Sequence, residues 1–275
     1  MLRPCRLALC LCRCEVRSAA EMARRDEQSA AWFPQRSVPA SARLQLFCFP
    51  YAGGNASVFR AWHAPLQPDI GVVAVQLPGR LERFREPPWE SAVDLADALA
   101  DAMEPLLTQP YAVFGISMGA LLAYEVAARL EQRGPGPVHL FAASREAPQT
   151  PERWPLVDSM DDAALLDLLR RFEAVPADML ASADLMDMML PTIRADFAVS
   201  QKYAFPRRGP LQTPITTVRG RSDWSTSSDD VAAWRDQTGD FEMVELAGGH
   251  FAPATEVDEM ASIIRRRLMT VLAGN

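Results

Sequence analysis

The pentapeptide Gly-Ile-Ser-Met-Gly at residues 115–119 constrains the fold more than any other stretch, because it joins two apolar runs of different length. Residues 111–114 before it have the pattern of a buried strand, and residues 121–130 after it have that of an apolar helix. A serine flanked by glycines at such a junction is typical of a sharp turn that exposes the hydroxyl above a sheet. A Cβ at either glycine would collide with the neighbouring strand or helix. Ser117 is therefore the candidate nucleophile.

A serine nucleophile needs a histidine to accept its proton and an acid to hold that histidine in the correct tautomer. The chain has three histidines. His63 lies in a predicted helix and His139 starts an apolar run, so both are better explained as partly buried structural side chains. His250 follows two glycines and precedes Phe251, directly after the strand-like residues 241–246. His250 is therefore the candidate base, carried on a turn after a late strand.

The acid is expected on a turn after the strand that precedes this one, residues 215–218. Asp223 lies on that turn and is the candidate acid. Asp229 and Asp230 are alternatives, but the serines just before them are typical of a helix N-cap, which would put both aspartates in a first helical turn. The order serine, acid, histidine is that of the α/β-hydrolases.

A loop of small residues, 52–54, follows soon after the predicted buried strand at residues 44–49. Such a loop lets backbone N–H groups approach a substrate carbonyl closely, as one half of an oxyanion hole requires. We assign the donors as the N–H of Ala52, with Gly53 as the alternative, and the N–H of Met118, the residue after the nucleophile. A plain tight turn into the next helix is the other explanation for this loop.

Strand and helix patterns alternate along the first half of the chain, which predicts an α/β fold with a mostly parallel sheet, helices on both faces and the site at the carboxyl ends of the strands. From about residue 152 to 205 the pattern changes to helices alone, at 161–172, 178–189 and 191–203. We interpret this insertion as a helical lid over Ser117. Its methionine-rich part, residues 179–190, is either ordinary core or the lining of an adaptable channel.

A chain of 275 residues, 49% of them hydrophobic, can bury one large core, so we expect a single domain at residues 44–275. The net charge of -7 gives no electrostatic reason to expect nucleic acid or an anionic membrane as a partner. No apolar stretch approaches the length of a membrane span. We therefore expect a cytoplasmic monomer.

We interpret the first 43 residues as a disordered or incorrectly extended leader, with Met22 as an alternative start to Met1. Their longest uncharged run, residues 7–12, is shorter than the apolar region of a signal peptide. Four of the five cysteines lie here, without a spacing typical of a zinc site. We expect no bound metal.

Short motifs in a fixed order cover the chain from about residue 44 onward: FCFPYAGG at 47–54, QLPGR at 76–80, GISMG at 115–119, LP at 190–191 with RADF at 194–197, and GGHF at 248–251. Together they resemble the type II thioesterases, the discrete editing hydrolases that accompany modular polyketide synthases and nonribosomal peptide synthetases. The resemblance implies an α/β-hydrolase fold with a helical lid. It also implies that Ser117 attacks a thioester on the phosphopantetheine arm of a carrier protein, with His250 as base and Asp223 as its orienter. Because the phosphopantetheine belongs to the carrier, no bound cofactor is implied.

Two stretches depart from the family's pattern. Trp224-Ser225-Thr226 stands where the family commonly keeps a turn containing aspartate and valine, and residues 172–176 replace a glycine-rich turn before a proline. Other functions would use the same three residues: a small-molecule carboxylesterase or lipase, or an acyltransferase. A catalytically silent protein that docks on a synthase is a further alternative, although such a protein would normally have lost Ser117 or His250.

Overall fold

The computed structural model describes residues 29–34, 36, 38–151, 155–173, 175 and 177–274. Within these residues six strands form one sheet in the order β2-β1-β3-β4-β5-β6, and each neighbouring pair is parallel. The α/β fold predicted from the alternating pattern is confirmed. The strands are β1 Leu44–Phe49, β2 Ile70–Ala74, β3 Tyr111–Ile116, β4 Leu140–Ala143, β5 Ile215–Gly220 and β6 Phe241–Leu246.

The α-helices of the described residues lie between and after the strands. They are α1 His63–Leu66, α2 Ala92–Met103, α3 Met118–Arg133, α4 Asp162–Phe172, α5 Ala177–Leu180, α6 Ala183–Gln201, α7 Ser228–Ala232, α8 Ala252–Thr255 and α9 Val257–Gly274. A 3-10 helix, Ala56–Trp62, precedes α1. The Asn55 side chain caps it, accepting the N–H of Ser57 at 2.9 Å.

Both faces of the sheet are covered by helices. The side chains of the buried strand β1 show this, because they point alternately to one face and to the other. Phe47 and Phe49 belong to one apolar cluster together with residues of α2 and α3. Leu46 and Cys48, pointing the other way, belong to a second cluster with Ala56–Trp62 and α9. A strand buried on both sides has no polar face, which explains its continuous apolar sequence.

The segment between β4 and β5 contains α4, α5 and α6, and we call residues 155–205 the helical insertion. It has a small apolar cluster of its own, which includes Leu165, Leu190 and Ile193. Helix α6 passes through Pro191 without a break, whereas we expected two helices that meet near this proline. A proline inside a helix costs roughly 3 kcal/mol. Burial of Leu190 and Ile193 on either side offsets that cost.

The predicted leader boundary near residue 43 needs correction. Trp32 and Phe33 are buried in the main apolar cluster. The Ser29 hydroxyl donates a hydrogen bond to the carbonyl oxygen of Ala102 at 2.8 Å, and the N–H of Gln76 donates to that of Trp32 at 2.8 Å. The part of the chain that packs on the sheet therefore starts at Ser29 at the latest. Residues 1–28, with Met22 and the cysteines Cys5, Cys10, Cys12 and Cys14, lie outside the described residues.

No helix among the described residues is long and apolar enough to cross a membrane. In the same part of the chain, no group of three or more His, Cys, Asp or Glu side chains is arranged to hold a metal ion. Cys48 is a free cysteine, and burial raises the pKa of its thiol well above the ordinary value. A thiol in this state is a poor nucleophile and serves as a small apolar side chain.

Candidate active site

Ser117 forms the turn between β3 and α3 in a strained backbone conformation, with φ 54° and ψ -118°. Non-glycine residues seldom adopt positive φ, and strained positions of this kind cluster at functional sites. A Cβ added to Gly115 would lie 2.1 Å from the carbonyl oxygen of Gly119, and one added to Gly119 would lie 2.2 Å from that of Phe49. The flanking glycines therefore permit the close approach that the sequence predicted for this turn.

Asp223 and His250 lie on the turns that follow β5 and β6, and the parallel sheet brings them together. The Nδ1 atom of His250 lies 2.9 Å from Oδ2 of Asp223. The carboxylate is fully buried and the imidazole is 7% exposed. The alternative acids are elsewhere, since Asp229 and Asp230 open α7, where Ser227 and Asp230 form a capping box.

The Asp223 carboxylate receives several further hydrogen bonds. Its Oδ1 accepts the N–H of Ser225 at 2.9 Å and the Ser225 hydroxyl at 2.6 Å, while its Oδ2 accepts the Thr226 hydroxyl at 2.8 Å. Burial alone would raise the pKa of Asp223, but the hydrogen bond and charge of His250 and the bonds from Ser225 outweigh it. The net effect holds the pKa of Asp223 well below its usual range, so the group is a carboxylate at neutral pH.

Sequence reasoning treated Ser225 and Thr226 only as departures from a family pattern and missed their contacts with the acid. A signal was present, because an aspartate followed two residues later by a serine is typical of a turn closed by the aspartate side chain. The departure therefore does not displace Asp223 from His250. It supplies the hydroxyl groups that surround the Asp223 carboxylate.

The backbone around His250 is held by two further contacts that the sequence did not predict. Ser144, directly after β4, adopts a positive φ of 50°, and its hydroxyl donates to the carbonyl oxygen of His250 at 2.6 Å. At the end of β5, a Cβ on Gly220 would lie 2.1 Å from the carbonyl oxygen of Gly249, so the two backbones touch. From the helical insertion, the ring of Phe172 lies edge-on to the His250 imidazole, with centroids 5.0 Å apart.

A cavity of about 80 Å³ brings the predicted site residues together. Ser117, His250, Ala52 and Met118 all line it, and Asp223 lies behind His250. The helical insertion supplies an apolar wall made of Met160, Leu168, Leu169, Phe172 and Phe197. The Ser117 hydroxyl has no hydrogen-bond partner among the described residues. Catalytic hydrogen bonds of this kind often form only once substrate is bound.

The methionine-rich part of the insertion does not reach this cavity. Met179, Met188 and Met189 instead line a separate cavity of about 270 Å³, next to Gly79 and Phe84. Of the two interpretations of this part, ordinary core or the lining of a channel, neither places these methionines against Ser117. The wall of the cavity that contains Ser117 comes from Met160, from α4 and from the second half of α6.

The hydrogen bonds of the 50–54 loop distinguish between Ala52 and Gly53 as the oxyanion donor that this loop supplies. The N–H of Gly53 donates to Oδ2 of Asp196 at 2.7 Å, so it is not available to a substrate. The N–H groups of Ala52 and Met118 face no acceptor within the described part of the chain. This geometry leaves Ala52 and Met118 as the candidate pair of donors.

Asp196, for which the sequence suggested no role, connects α6 to this loop. Arg80 Nη1 and Nη2 each lie 2.7 Å from an oxygen of the Asp196 carboxylate, and Nη1 also donates to the carbonyl oxygen of Gly54 at 3.0 Å. Both side chains are buried. A two-point pair of this kind is directional as well as strong. It holds the 50–54 loop against the helical insertion.

Comparison with known proteins shows the family of the chain. Residues 44–268 match the thioesterase domain family. The AMB antimetabolite synthetase AmbE of Pseudomonas aeruginosa is 38% identical over 95% of this chain, which spans only 12% of that longer protein.

Solved structures show the same likeness in three dimensions. RedJ, a thioesterase from the prodiginine biosynthetic pathway in Streptomyces coelicolor, is 38% identical with a TM-score of 0.79, over 86% of this chain and 98% of its own. BorB, the type II thioesterase from the borrelidin biosynthetic cluster, is 33% identical with a TM-score of 0.78, over 85% of this chain and 95% of its own. The chain therefore belongs to the thioesterase family with the α/β-hydrolase fold, it is a hydrolase acting on thioesters, and type II thioesterases are among its relatives.

Proposed function

We propose that this thioesterase hydrolyses acyl groups from the phosphopantetheine arm of carrier proteins, with Ser117 as nucleophile, His250 as base and Asp223 as the group that orients His250. One observation carries the proposal. Ser117 and His250 line a single cavity, while Oδ2 of Asp223 lies 2.9 Å from Nδ1 of His250. A nucleophile, a base and an orienter in this arrangement are what acyl transfer through a serine requires.

Acylation of Ser117 is the first step of the proposed reaction. Because Asp223 engages Nδ1, Nε2 is the nitrogen of His250 that accepts the proton of the Ser117 hydroxyl. The serine oxygen attacks the thioester carbonyl, and the N–H groups of Ala52 and Met118 stabilise the negative oxygen that forms. Collapse of this intermediate breaks the carbon–sulfur bond, and the imidazolium gives its proton to the departing sulfur, which leaves as the free thiol.

Hydrolysis of the acyl-serine repeats the same proton transfers with water as the nucleophile. His250 Nε2 accepts a proton from water, the hydroxide adds to the ester carbonyl, and the proton then goes to the Ser117 oxygen as it leaves. The Asp223 carboxylate remains ionised throughout, because its hydrogen bonds hold its pKa low. Its negative charge stabilises the imidazolium that forms in each step.

The cavity and the named relatives support the proposed substrate and partner. The apolar wall contributed by the helical insertion suits an acyl chain. RedJ and BorB are named for biosynthetic pathways and AmbE for a synthetase, which supports acyl or peptidyl carrier domains of a modular synthase as partners. Removal of aberrant or stalled acyl groups in the cytoplasm by a monomeric enzyme is the role that we propose.

The experiment is mass-spectrometric measurement of acyl release from a phosphopantetheinyl carrier protein, with a matching oxyester as the comparison substrate. We expect Ser117→Ala and His250→Ala each to lower turnover by roughly 10⁴ to 10⁶, and the double variant to be little worse, because the residues act as a unit. Ser222→Ala is the control, since Ser222 is an exposed serine near the acid. A loss below tenfold for either site variant would show that the chemistry occurs elsewhere.

The same experiment separates the alternatives. Cleavage of the oxyester without release from the carrier would identify a small-molecule carboxylesterase. Product that forms only after an alcohol or amine acceptor is added would identify an acyltransferase. Carrier binding without any turnover, and without acylation of Ser117, would identify a catalytically silent docking protein.

A further inference from the structure

Ser225 contacts both the acid and the base of the site. Its hydroxyl oxygen lies 2.9 Å from Nδ1 of His250 and 2.6 Å from Oδ1 of Asp223. The N–H of Ser225 also donates to Oδ1 at 2.9 Å. Ser225 lines the same cavity as Ser117. The three side chains of Asp223, Ser225 and His250 therefore form a closed triangle of polar contacts.

The protons available to these three side chains determine which group donates in each hydrogen bond. A carboxylate is only an acceptor, so the single proton of the Ser225 hydroxyl goes to Oδ1 of Asp223. The Ser225 oxygen can then only accept from His250, which requires a proton on Nδ1. That proton is shared between Oδ2 of Asp223 and the Ser225 oxygen, each at 2.9 Å. The arrangement favours the tautomer in which Nε2 is free to act as a base.

Besides the Asp223 side chain, Arg219 also holds the turn that carries Ser225. Arg219 Nη2 donates to the carbonyl oxygens of Asp223 at 3.2 Å and of Thr226 at 3.1 Å, on either side of Ser225. Nη1 of the same arginine binds Glu245 at 2.8 Å. Arg219 is 8% exposed. Because these contacts use backbone carbonyl groups, none of them involves the side chain at position 223.

Resting on the proposed roles of Ser117, His250 and Asp223, we propose that Ser225 is a positioning residue that holds His250 in its reactive tautomer alongside Asp223. When the carboxylate is removed, the Ser225 oxygen remains as an acceptor for the Nδ1 proton. The two acceptors of His250 are therefore partly redundant. If Ser225 had a purely structural role, the effect of removing its hydroxyl would not depend on whether Asp223 is present.

A double-mutant cycle tests it, with Ser225→Ala measured in the wild-type and Asp223→Ala backgrounds. In the wild-type background we expect kcat to fall about tenfold with KM unchanged, since one of two acceptors is lost. In the Asp223→Ala background we expect a loss of about a hundredfold, since no acceptor remains. The kcat of Ser225→Thr, which keeps the hydroxyl, should stay within about threefold of that of its parent. The control Ser222→Ala, at an exposed serine, should stay within the same threefold.

The rate at which a fluorophosphonate modifies Ser117 provides a second readout that needs no carrier protein. It should follow the same pattern as kcat, because the base must activate the serine in both reactions. Cysteine has nearly the size of serine but is a weak hydrogen-bonding group, so the rates of Ser225→Cys should resemble those of Ser225→Ala. The cysteine variant keeps the test open if the alanine variant does not fold.

Two results would overturn the proposal. One is a loss below twofold for both Ser225→Ala and Ser225→Cys in the wild-type background. The other is an equal loss in the wild-type and Asp223→Ala backgrounds, which would mean that Ser225 acts through packing alone. If the fluorophosphonate leaves Ser117 unmodified in the wild-type enzyme, the proposed function fails first, and the two failures are thereby distinguished.

Discussion

His139 should make the stability of this protein fall as the pH drops below the ordinary histidine pKa of 6.5. It lies directly before β4, at the end of that strand remote from Ser144. Its side chain is buried, with Nε2 2.8 Å from the Thr216 hydroxyl. Burial, and secondarily the charge of Arg267, lower the pKa of His139 to about 3, against the opposing charge of Glu242. His139 is therefore neutral in the folded protein.

The size and sign of the effect follow from the two pKa values. The unfolded chain has the ordinary value of 6.5, whereas the folded protein has about 3. Because the folded pKa is the lower one, His139 costs no stability above pH 6.5, and stability falls as the pH drops from 6.5 towards 3. At pH 5 the unfolded histidine is almost fully protonated and the folded one is not. The loss at pH 5, relative to pH 7.5, is about 2 kcal/mol.

Urea unfolding at pH 7.5 and pH 5.0 measures this contribution. The free energy of unfolding of the wild type should fall by about 2 kcal/mol more than that of His139→Gln, which cannot be protonated. His63→Gln is the control, since His63 is only half-buried and its pKa is lowered less by burial. Asp223 does not interfere, because its lowered pKa affects stability only below about pH 4. Equal losses in the wild type and His139→Gln would refute the reasoning.

Two further substitutions test the close contacts of the site. Gly119→Ala should prevent folding, because the added Cβ would lie 2.2 Å from a backbone oxygen of Phe49; soluble protein with normal circular dichroism and thermal unfolding would contradict this. Asp196→Asn should lower kcat at least tenfold with little change in KM, because it leaves the Arg80 charge without its partner and loosens the loop around Gly53. Kinetics on the carrier substrate would reveal it, and an unchanged kcat would remove Asp196 from any role in positioning the loop.

The candidate site was predictable from sequence because each of its parts is marked by local chemistry. Ser117 lies between glycines at a strand-to-helix turn, and His250 follows a glycine pair after a strand, so neither needs distant information. Asp223 was distinguished from its competitors by helix capping, which is also local. The family's motif order then connected the three residues.

What the sequence could not reveal depends on contacts between distant segments. Trp32 and Phe33 looked like part of a leader, since nothing in their neighbourhood indicates the apolar cluster that they enter. Pro191 suggested a helix end because local propensity cannot include the burial of its neighbours in the insertion. The bond between Gly53 and Asp196 joins residues 143 positions apart, and no spacing rule predicts it.

The buried pair of Arg80 and Asp196 joins the 50–54 loop to helix α6 through charge. Removing either partner would leave an uncompensated buried charge and cost about 3–5 kcal/mol. On the side of the base the insertion is joined by ring contacts instead, since the Phe172 ring lies 5.0 Å from that of His250 and 4.7 Å from that of Trp224, centroid to centroid. The insertion is thus attached to the two halves of the site by different chemistry, an ion pair at the 50–54 loop and packed rings at the base.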